Sequence, residues 1–208
     1  MIAQLIERYP QLGVCREDII KAGNMMLDSY RAEGKILVCG NGGSCADADH
    51  IVGELMKGFL KKRKMDSDSA QKFRNSLGEA SEEFIDKLQC GIPAISLTSQ
   101  GAVLSAYAND VDARFAYAQL VFGYAQKGDL LIALSTSGNS ENVVTAAMVA
   151  KAVGIGTIAL TGEKESRLSA LCDCTVRVPE SETFKVQELH LPVYHFLCAS
   201  LEAEIFGE

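Results

Sequence analysis

The chain has 208 residues, of which 48% are hydrophobic and 23% charged, and its formal net charge at pH 7 is −7. This length and composition predict one globular domain with a sizeable core, and the negative charge argues against a nucleic-acid partner. No apolar run approaches the roughly 18 residues that a membrane helix needs, so no membrane partner is expected either.

The first elements in the chain are predicted to be helices, followed by a strand-loop-helix unit. Apolar stripes at helical spacing run through residues 1–33, where Pro10 separates two segments. The run KILVCG (35–40) then predicts a strand and NGGS (41–44) a glycine-rich turn. Helical periodicity resumes from about residue 46 to residue 59.

Residues 61–90 differ from the rest of the chain because they are polar and charged, with basic residues first and acidic residues later. Such a segment could be a mobile lid, an inserted helix or a solvated excursion. Charge runs usually mark a solvated surface, so we expect a polar insertion within a single domain that spans residues 1–208.

The second half of the chain alternates short apolar strands with helices. The predicted strands are 92–97, 129–134, 156–161 and 174–179. The predicted helices run to about residue 126, from 140 to 153, and from about 183 to 206. This alternation predicts an α/β fold, a three-layer sandwich in which helices cover both faces of a parallel sheet.

Two of the predicted strand-to-helix turns carry residues suited to an oxyanion. GNGGS (40–44) and STSGNS (135–140) each lie at the carboxyl end of a strand, where open α/β sheets bind ligands, and each opens a helix with unpaired N–H groups. Ordinary capped turns are the alternative, and Ser44 with Asp47 has the capping-box spacing. A cap needs one hydroxyl and the second turn has four, so a phosphate cradle is favoured there. Its hydroxyl residues are Ser135, Thr136, Ser137 and Ser140.

The chain has only three histidines, and the position of one of them suggests a functional site near the glycine-rich turn GNGGS (40–44). His50 and Glu54 are four residues apart, so a helix presents them on one face. Both could also lack a functional role, His50 as a histidine of the core and Glu54 as a glutamate of the surface. The other two histidines, His190 and His195, lie on the predicted last helix near Gln187.

These motifs together resemble the sugar isomerase (SIS) domain, and within it the phosphoheptose isomerases. The resemblance is carried by CGNGGS with His50 and Glu54, by STSGNSENV, and by QELH with a later histidine. It covers roughly residues 35–60 and 91–206. It implies a five-stranded parallel sheet of the flavodoxin-like or Rossmann-like kind, preceded by N-terminal helices, and a homotetramer.

The same resemblance implies a site. Its metal ligands fall on His50, Glu54, Gln187 and His195, a donor set that suits zinc. Its acid–base pair falls on Glu54 and His195, whereas His190 has no assigned role and is expected to be structural. The predicted substrate-binding residues are Asn41, Gly42, Gly43, Ser44, Glu54, Asn109, Asp110, Ser135, Thr136, Ser137, Ser140 and Gln187.

The implied reaction is aldose–ketose isomerisation of a phosphorylated sugar through an enediol, in the family the conversion of sedoheptulose 7-phosphate to a heptose 7-phosphate. One geometric difficulty attends the implied metal site, because Gln187 and His195 would lie about 12 Å apart along a straight helix. Either Gln187 precedes the regular helix, Pro192 bends it, or the two ligands come from different subunits.

Two departures from the family pattern bear on which phosphosugar fits. Family members commonly continue Glu-Leu-Thr-Gly-Arg-Phe, whereas this chain has ELMKGF, so Gly58 takes the place of the arginine and Lys57 precedes it. The 61–90 insertion is also longer than the usual connection.

Two other functions compete with the isomerase. A non-catalytic SIS protein that associates with a replication initiator lacks the final histidine, which is present here as His195. A sugar-phosphate-sensing regulator carries an N-terminal DNA-reading domain, which residues 1–33 are too short to supply.

Cysteine usage and the N-terminal sequence indicate the compartment. The seven cysteines are odd in number and never spaced as CxxC, so neither a zinc ribbon nor a disulfide framework is expected. Glu7 and Arg8 interrupt the apolar pattern at the N-terminus, which therefore does not look like a signal peptide. We expect a cytoplasmic protein whose cysteines are mostly small core residues.

Overall fold

Five apolar runs form one parallel sheet in the computed structural model, which describes residues 1–207. The strands are β1 (Ile36–Cys39), β2 (Ala94–Ser96), β3 (Leu130–Leu134), β4 (Gly156–Thr161) and β5 (Cys174–Arg177). Their order across the sheet is β2-β1-β3-β4-β5, with every neighbouring pair parallel. The predicted α/β fold with a five-stranded parallel sheet is confirmed.

The strands are apolar along their whole length because helices cover both faces of the sheet. In β1, Ile36 and Val38 belong to one core cluster, whereas Leu37 and Cys39 belong to the other. The helix that follows β1 contributes to the first of these clusters and the helix that follows β3 to the second, so the two helices pack on opposite faces of the sheet. The strand order also reverses between β1 and β3, which opens a crevice at their carboxyl ends.

Ten α-helices surround the sheet within residues 1–207. They are α1 (Ile2–Arg8), α2 (Arg16–Arg31), α3 (Gly43–Met56), α4 (Ser67–Leu77), α5 (Ser81–Lys87), α6 (Gly101–Tyr107), α7 (Ala116–Tyr124), α8 (Glu141–Ala152), α9 (Arg167–Leu171) and α10 (Thr183–Phe206). Pro10 opens a short 3-10 turn between α1 and α2, as the sequence predicts. None of these helices is long and apolar enough to cross a membrane.

Three sequence-based expectations, two about helices and one about a strand, need correction. Helix α3 begins at Gly43 instead of residue 46, its N-cap is Gly42, and no side chain caps it, so the capping box of Ser44 with Asp47 does not form. The helix expected to run to about residue 126 is two helices, α6 and α7, separated by irregular turns over 108–115. The strand expected over 174–179 ends at Arg177.

The polar 61–90 segment forms α4 and α5, and most of its residues are exposed. Its two ends meet, because Lys64 pairs with Gln89 in an antiparallel bridge and the Cys90 N–H donates to the Arg63 carbonyl. Arg63 itself is fully buried and forms an ion pair of 2.7 Å with Glu202 on α10. The segment is therefore joined to the core at its base.

His190 is a buried residue of α10 that takes part in the core. Its Nε2 lies 3.3 Å from the Thr161 carbonyl, and its Nδ1 has no hydrogen-bond partner among residues 1–207. Burial lowers the pKa of His190 to about 4, and the Thr161 carbonyl only partly opposes that shift. The imidazole is thus neutral in the folded protein near neutral pH.

We predict that His190 makes the fold sensitive to acid. Below its ordinary pKa of 6.5 the unfolded chain binds a proton that the folded chain takes up only near pH 4. Stability therefore falls as the pH drops through this window, by on the order of 3 kcal/mol in full. Urea unfolding across the window should show the wild type losing that much more stability than His190→Leu. Parallel pH profiles of the two proteins would contradict the prediction.

Candidate active site

The crevice at the carboxyl ends of β1 and β3 contains a cavity of about 280 Å³. The loop after β1 supplies one wall, the loop after β3 the second, and the start of α10 the third. The lining residues are Asn41, Gly42, Gly43, Ser44, Leu134, Ser135, Thr136, Ser140, Thr183 and Gln187. The structure thus brings together most of the predicted substrate-binding residues. The four that do not line this cavity are Glu54, Asn109, Asp110 and Ser137.

Two glycines allow the first loop to approach α10 closely. Gly42 has a φ of 57° and a ψ of −120°, a combination that residues with a side chain rarely adopt. A Cβ added to Gly43 would overlap the amide group of Gln187. Glycine at both positions therefore keeps the backbone of the first loop beside Gln187.

The polar groups around the cavity suit an anion. Helices α3 and α8 both begin here, and neither has a side-chain cap, so the N–H groups of the first two residues of each helix are available to a ligand. The hydroxyls of Ser135 and Ser140 lie 3.0 Å apart. The side-chain amides of Asn41 and Asn142 exchange two hydrogen bonds of 2.8 and 2.9 Å, which join the two helix starts.

A second polar cluster lies further along α3, where it packs against α10. His50 Nε2 is 3.3 Å from Glu54 Oε1 and 3.4 Å from His195 Nε2. The other carboxylate oxygen of Glu54 accepts a hydrogen bond of 2.6 Å from the Lys57 ammonium. Lys57, which precedes the glycine in the family's arginine position, therefore provides a cation beside Glu54.

Tyr194 contacts His50 on the side of the ring away from Glu54, and Asp47 in turn contacts Tyr194. The hydroxyl of Tyr194 lies 3.0 Å from His50 Nδ1 and 3.1 Å from Asp47 Oδ1. Burial raises the pKa of Asp47, although the Tyr194 hydrogen bond and the His50 charge oppose the shift. Burial also lowers the pKa of His195, an effect that His50 strengthens and Glu54 opposes.

Gln187 lies in the cavity, away from this cluster in the same chain. Because α10 begins at Thr183, Gln187 is already inside the helix, which removes one explanation of its eight-residue separation from His195. Pro192 also lies inside α10. A bend at this proline and a ligand from a neighbouring subunit are the explanations that are left.

Asn109 and Asp110 are also separate from the cavity in this chain. They form part of a π-helical turn, Ala108–Asp112, and both are exposed. The Asn109 amide donates to the Asp110 carboxylate. Their assignment to the substrate site is a prediction that this single chain does not test.

Several residues of the site escaped sequence reasoning. Asp47 shares a helix face with His50 and Glu54, a spacing that could have marked it. Tyr194 carries no such signal, because its partners Asp47 and His50 lie more than a hundred residues earlier in the chain. Thr183 lines the cavity but belongs to no motif of the sequence.

Comparison with known proteins agrees with this geometry. Two SIS-domain profiles match the chain, one over residues 13–89 and the other over residues 93–200. The chain therefore belongs to the SIS-domain family.

Relatives narrow the assignment within the family. The chain is 34% identical to the phosphoheptose isomerase of Rhodospirillum rubrum, over 93% of this chain and 89% of that protein. It is 36% identical to the phosphoheptose isomerase of Helicobacter hepaticus, over 89% of this chain and 82% of that protein. The phosphoheptose isomerase structure from Neisseria gonorrhoeae superposes with a TM-score of 0.76 at 28% identity, covering 97% of this chain and 94% of that one. The chain groups with the phosphoheptose isomerases, as its motifs predict, and is an isomerase.

The cavity geometry predicts that Ser135 and Ser140 contribute to phosphate binding. Replacing both by Ala removes two hydroxyl donors, and a hydrogen bond to a charged group contributes about 1.5–3 kcal/mol. Affinity for inorganic phosphate, measured by calorimetry, should fall at least about 10-fold. The control Ser76→Ala, an exposed change on α4, should leave it unchanged. Equal affinities in all three proteins would contradict the prediction.

Proposed function

We propose that this isomerase converts a phosphorylated sugar between its ketose and aldose forms, with sedoheptulose 7-phosphate as the substrate. The observation that carries the proposal is the arrangement along α10. Gln187 on this helix borders the anion cavity, whereas His195, two turns later, meets His50 at the acid–base cluster. A sugar phosphate is a ligand with an anion at one end and a carbonyl at the other. Relatives named phosphoheptose isomerase support the choice of sugar.

The chemistry assigns separate roles to Glu54 and His195. The Glu54 carboxylate removes a proton from C1 of the ketose while the C2 carbonyl oxygen gains a proton, which gives the enediol. The enediol then loses the proton on O1 and gains one at C2, with His195 as the second acid–base group, and the aldose results. Lys57 and His50 each contact one carboxylate oxygen of Glu54, so the carboxylate is held in one orientation.

The phosphate contributes to the reaction without taking part in bond changes. Held by the hydroxyls and the first-turn N–H groups, it supplies binding energy that orients the distant carbonyl end of the sugar. These separate roles predict that substitutions in the cavity raise KM, whereas substitutions of Glu54 lower kcat.

Zinc is the cofactor that we propose for the acid–base cluster. His50 Nε2 lies 3.3 Å from Glu54 Oε1 and 3.4 Å from His195 Nε2, and each separation is close to the ligand–ligand distance of about 3.3 Å on a tetrahedral ion with bonds of about 2.0–2.1 Å. In this single chain, residues 1–207 contain no group of three or more His, Cys, Asp or Glu side chains already arranged to hold a metal ion. His50, Glu54 and His195 would hold the ion, with Gln187 as the remaining candidate ligand. When bound, the ion would stabilise the negative charge that builds on the sugar oxygen.

Replacing Glu54 by Gln tests the proposed mechanism. The amide keeps the shape of the side chain but cannot take a proton, so kcat for sedoheptulose 7-phosphate should fall about 10²- to 10⁴-fold. Exchange of solvent deuterium into the sugar, next to the carbonyl, should fall with it. Phosphosugar affinity should persist, because the phosphate binds elsewhere. Glu83→Gln, an exposed change on α5, is the matched control.

Two outcomes would contradict the proposal. Absence of turnover by the wild type across five- to seven-carbon sugar phosphates would favour a non-catalytic binding protein. Isomerisation without any deuterium exchange would favour a hydride shift and remove Glu54 from the role of base.

We further propose a homotetramer located in the cytoplasm. An apolar groove of about 480 Å³ lies beside His195, bordered by α1, by Leu60 and by Leu191. Leu60 is 66% exposed and Leu191 40% exposed, so a second copy of the chain would bury apolar surface at the edge of the site. All seven cysteines are unpaired thiols, which suits a reducing compartment.

Substitution in this groove tests the assembly. Leu60→Glu places a charge in the proposed contact, so light scattering should report a smaller species than the wild-type tetramer, and activity should fall with it. Leu77→Glu, at a leucine that is 44% exposed on α4, should leave the mass unchanged. A fully active wild-type monomer would contradict the proposal.

A further inference from the structure

Tyr194 joins the acid–base cluster to a buried carboxylate. Its side chain is only 1% exposed, and its hydroxyl lies between His50 Nδ1, at 3.0 Å, and Asp47 Oδ1, at 3.1 Å. The ring also makes edge contacts with both imidazoles, with centroid separations of 5.5 Å to His50 and 5.0 Å to His195. One buried side chain therefore touches both histidines of the cluster.

The hydroxyl has one proton to share between two neighbours. A carboxylate can only accept a hydrogen bond, and a bond to a charged acceptor is the stronger one, so the hydroxyl donates to Asp47. The contact with His50 then requires Nδ1 to donate to the tyrosine oxygen. We infer that Tyr194 and Asp47 fix the tautomer of His50, with the proton on Nδ1 and the lone pair of Nε2 directed towards Glu54 and His195.

The surroundings of Asp47 give this arrangement independent support. Its second oxygen, Oδ2, is buried and has no hydrogen-bond partner among residues 1–207. A buried carboxylate with an unpaired oxygen is costly for a fold, and an apolar residue would pack in its place without that cost. If Asp47 orients His50 through Tyr194, the carboxylate has a function that explains why its costly burial is kept.

The fixed tautomer matters because Nε2 is the nitrogen that faces the other cluster residues. Histidine free in water prefers the proton on Nε2, a form that cannot offer this nitrogen to a metal. Hydrogen bonds to the far nitrogen of a histidine ligand typically change metal affinity about 10- to 100-fold. The inference rests on the proposed function, in which His50 binds zinc, and makes Tyr194 and Asp47 positioning residues for it.

The tautomer can be measured without metal or substrate. The chain has only three histidines, so ¹⁵N labelling of histidine gives three imidazoles, and His50→Asn identifies the one that belongs to His50. In alkaline buffer, where imidazoles are neutral, zinc-free wild type should show the proton on Nδ1. Tyr194→Phe should move it towards Nε2. Asp47→Ala should do so more fully, because the tyrosine hydroxyl, without its acceptor, then donates to Nδ1.

Zinc affinity, measured by competition with a chromogenic chelator, provides a second readout. It should fall about 10- to 100-fold in Tyr194→Phe and Asp47→Ala. Tyr124→Phe, which removes another partly buried hydroxyl on α7, should change neither readout. A proton on Nε2 in the wild type, or one on Nδ1 in both variants, would overturn the inference. Failure of the wild type to bind zinc would instead contradict the proposed metal, because the NMR result does not depend on it.

Discussion

The parallel pairing of β1 with β3 is the constraint on which the site depends. Its register runs from Ile36 opposite Leu130 to Cys39 opposite Ala133, so β3 ends within one residue of the end of β1. The loops after β1 and β3 therefore begin next to each other at the carboxyl edge of the sheet. The chain then continues from β1 towards one face of the sheet and from β3 towards the other. Neither loop alone encloses the cavity. The crevice exists because two neighbouring parallel strands are followed by helices on opposite faces of the sheet.

Helix α10 connects this crevice to the acid–base cluster. It is 24 residues long and packs on one face of the sheet, so a single helix carries both Gln187 and His195. In the proposed function, the distance between the phosphate and the reacting carbon is thereby set by helix geometry and not by a flexible loop. Helix α3 does the same on its side, since its first turn borders the cavity and Glu54 lies three turns later. In the proposed function, these two helices would together set the length of the substrate that fits.

Sequence reasoning recovered the fold because its signals are local. Apolar runs for the strands and the periodicity of 183–206 predicted elements that the structure reproduces, and α10 has the predicted bounds. The start of α3 was harder to predict, since the positive φ of Gly42 let the helix begin about three residues early. The pairing of His50 with Glu54 follows from their spacing on one helix. Tyr194 could not be found in this way, because its role depends on Asp47, 147 residues away in the chain.

The bridge between Lys64 and Gln89 has a consequence for how this chain can vary. Since the segment leaves and re-enters the body at one point, its length does not affect the distance between α3 and β2. Lengthening a flexible loop costs only about 0.6 kcal/mol for each doubling. Residues between these two positions are therefore open to insertion, deletion and replacement over evolutionary time, while Arg63, just outside the bridge, is held by its buried ion pair with Glu202.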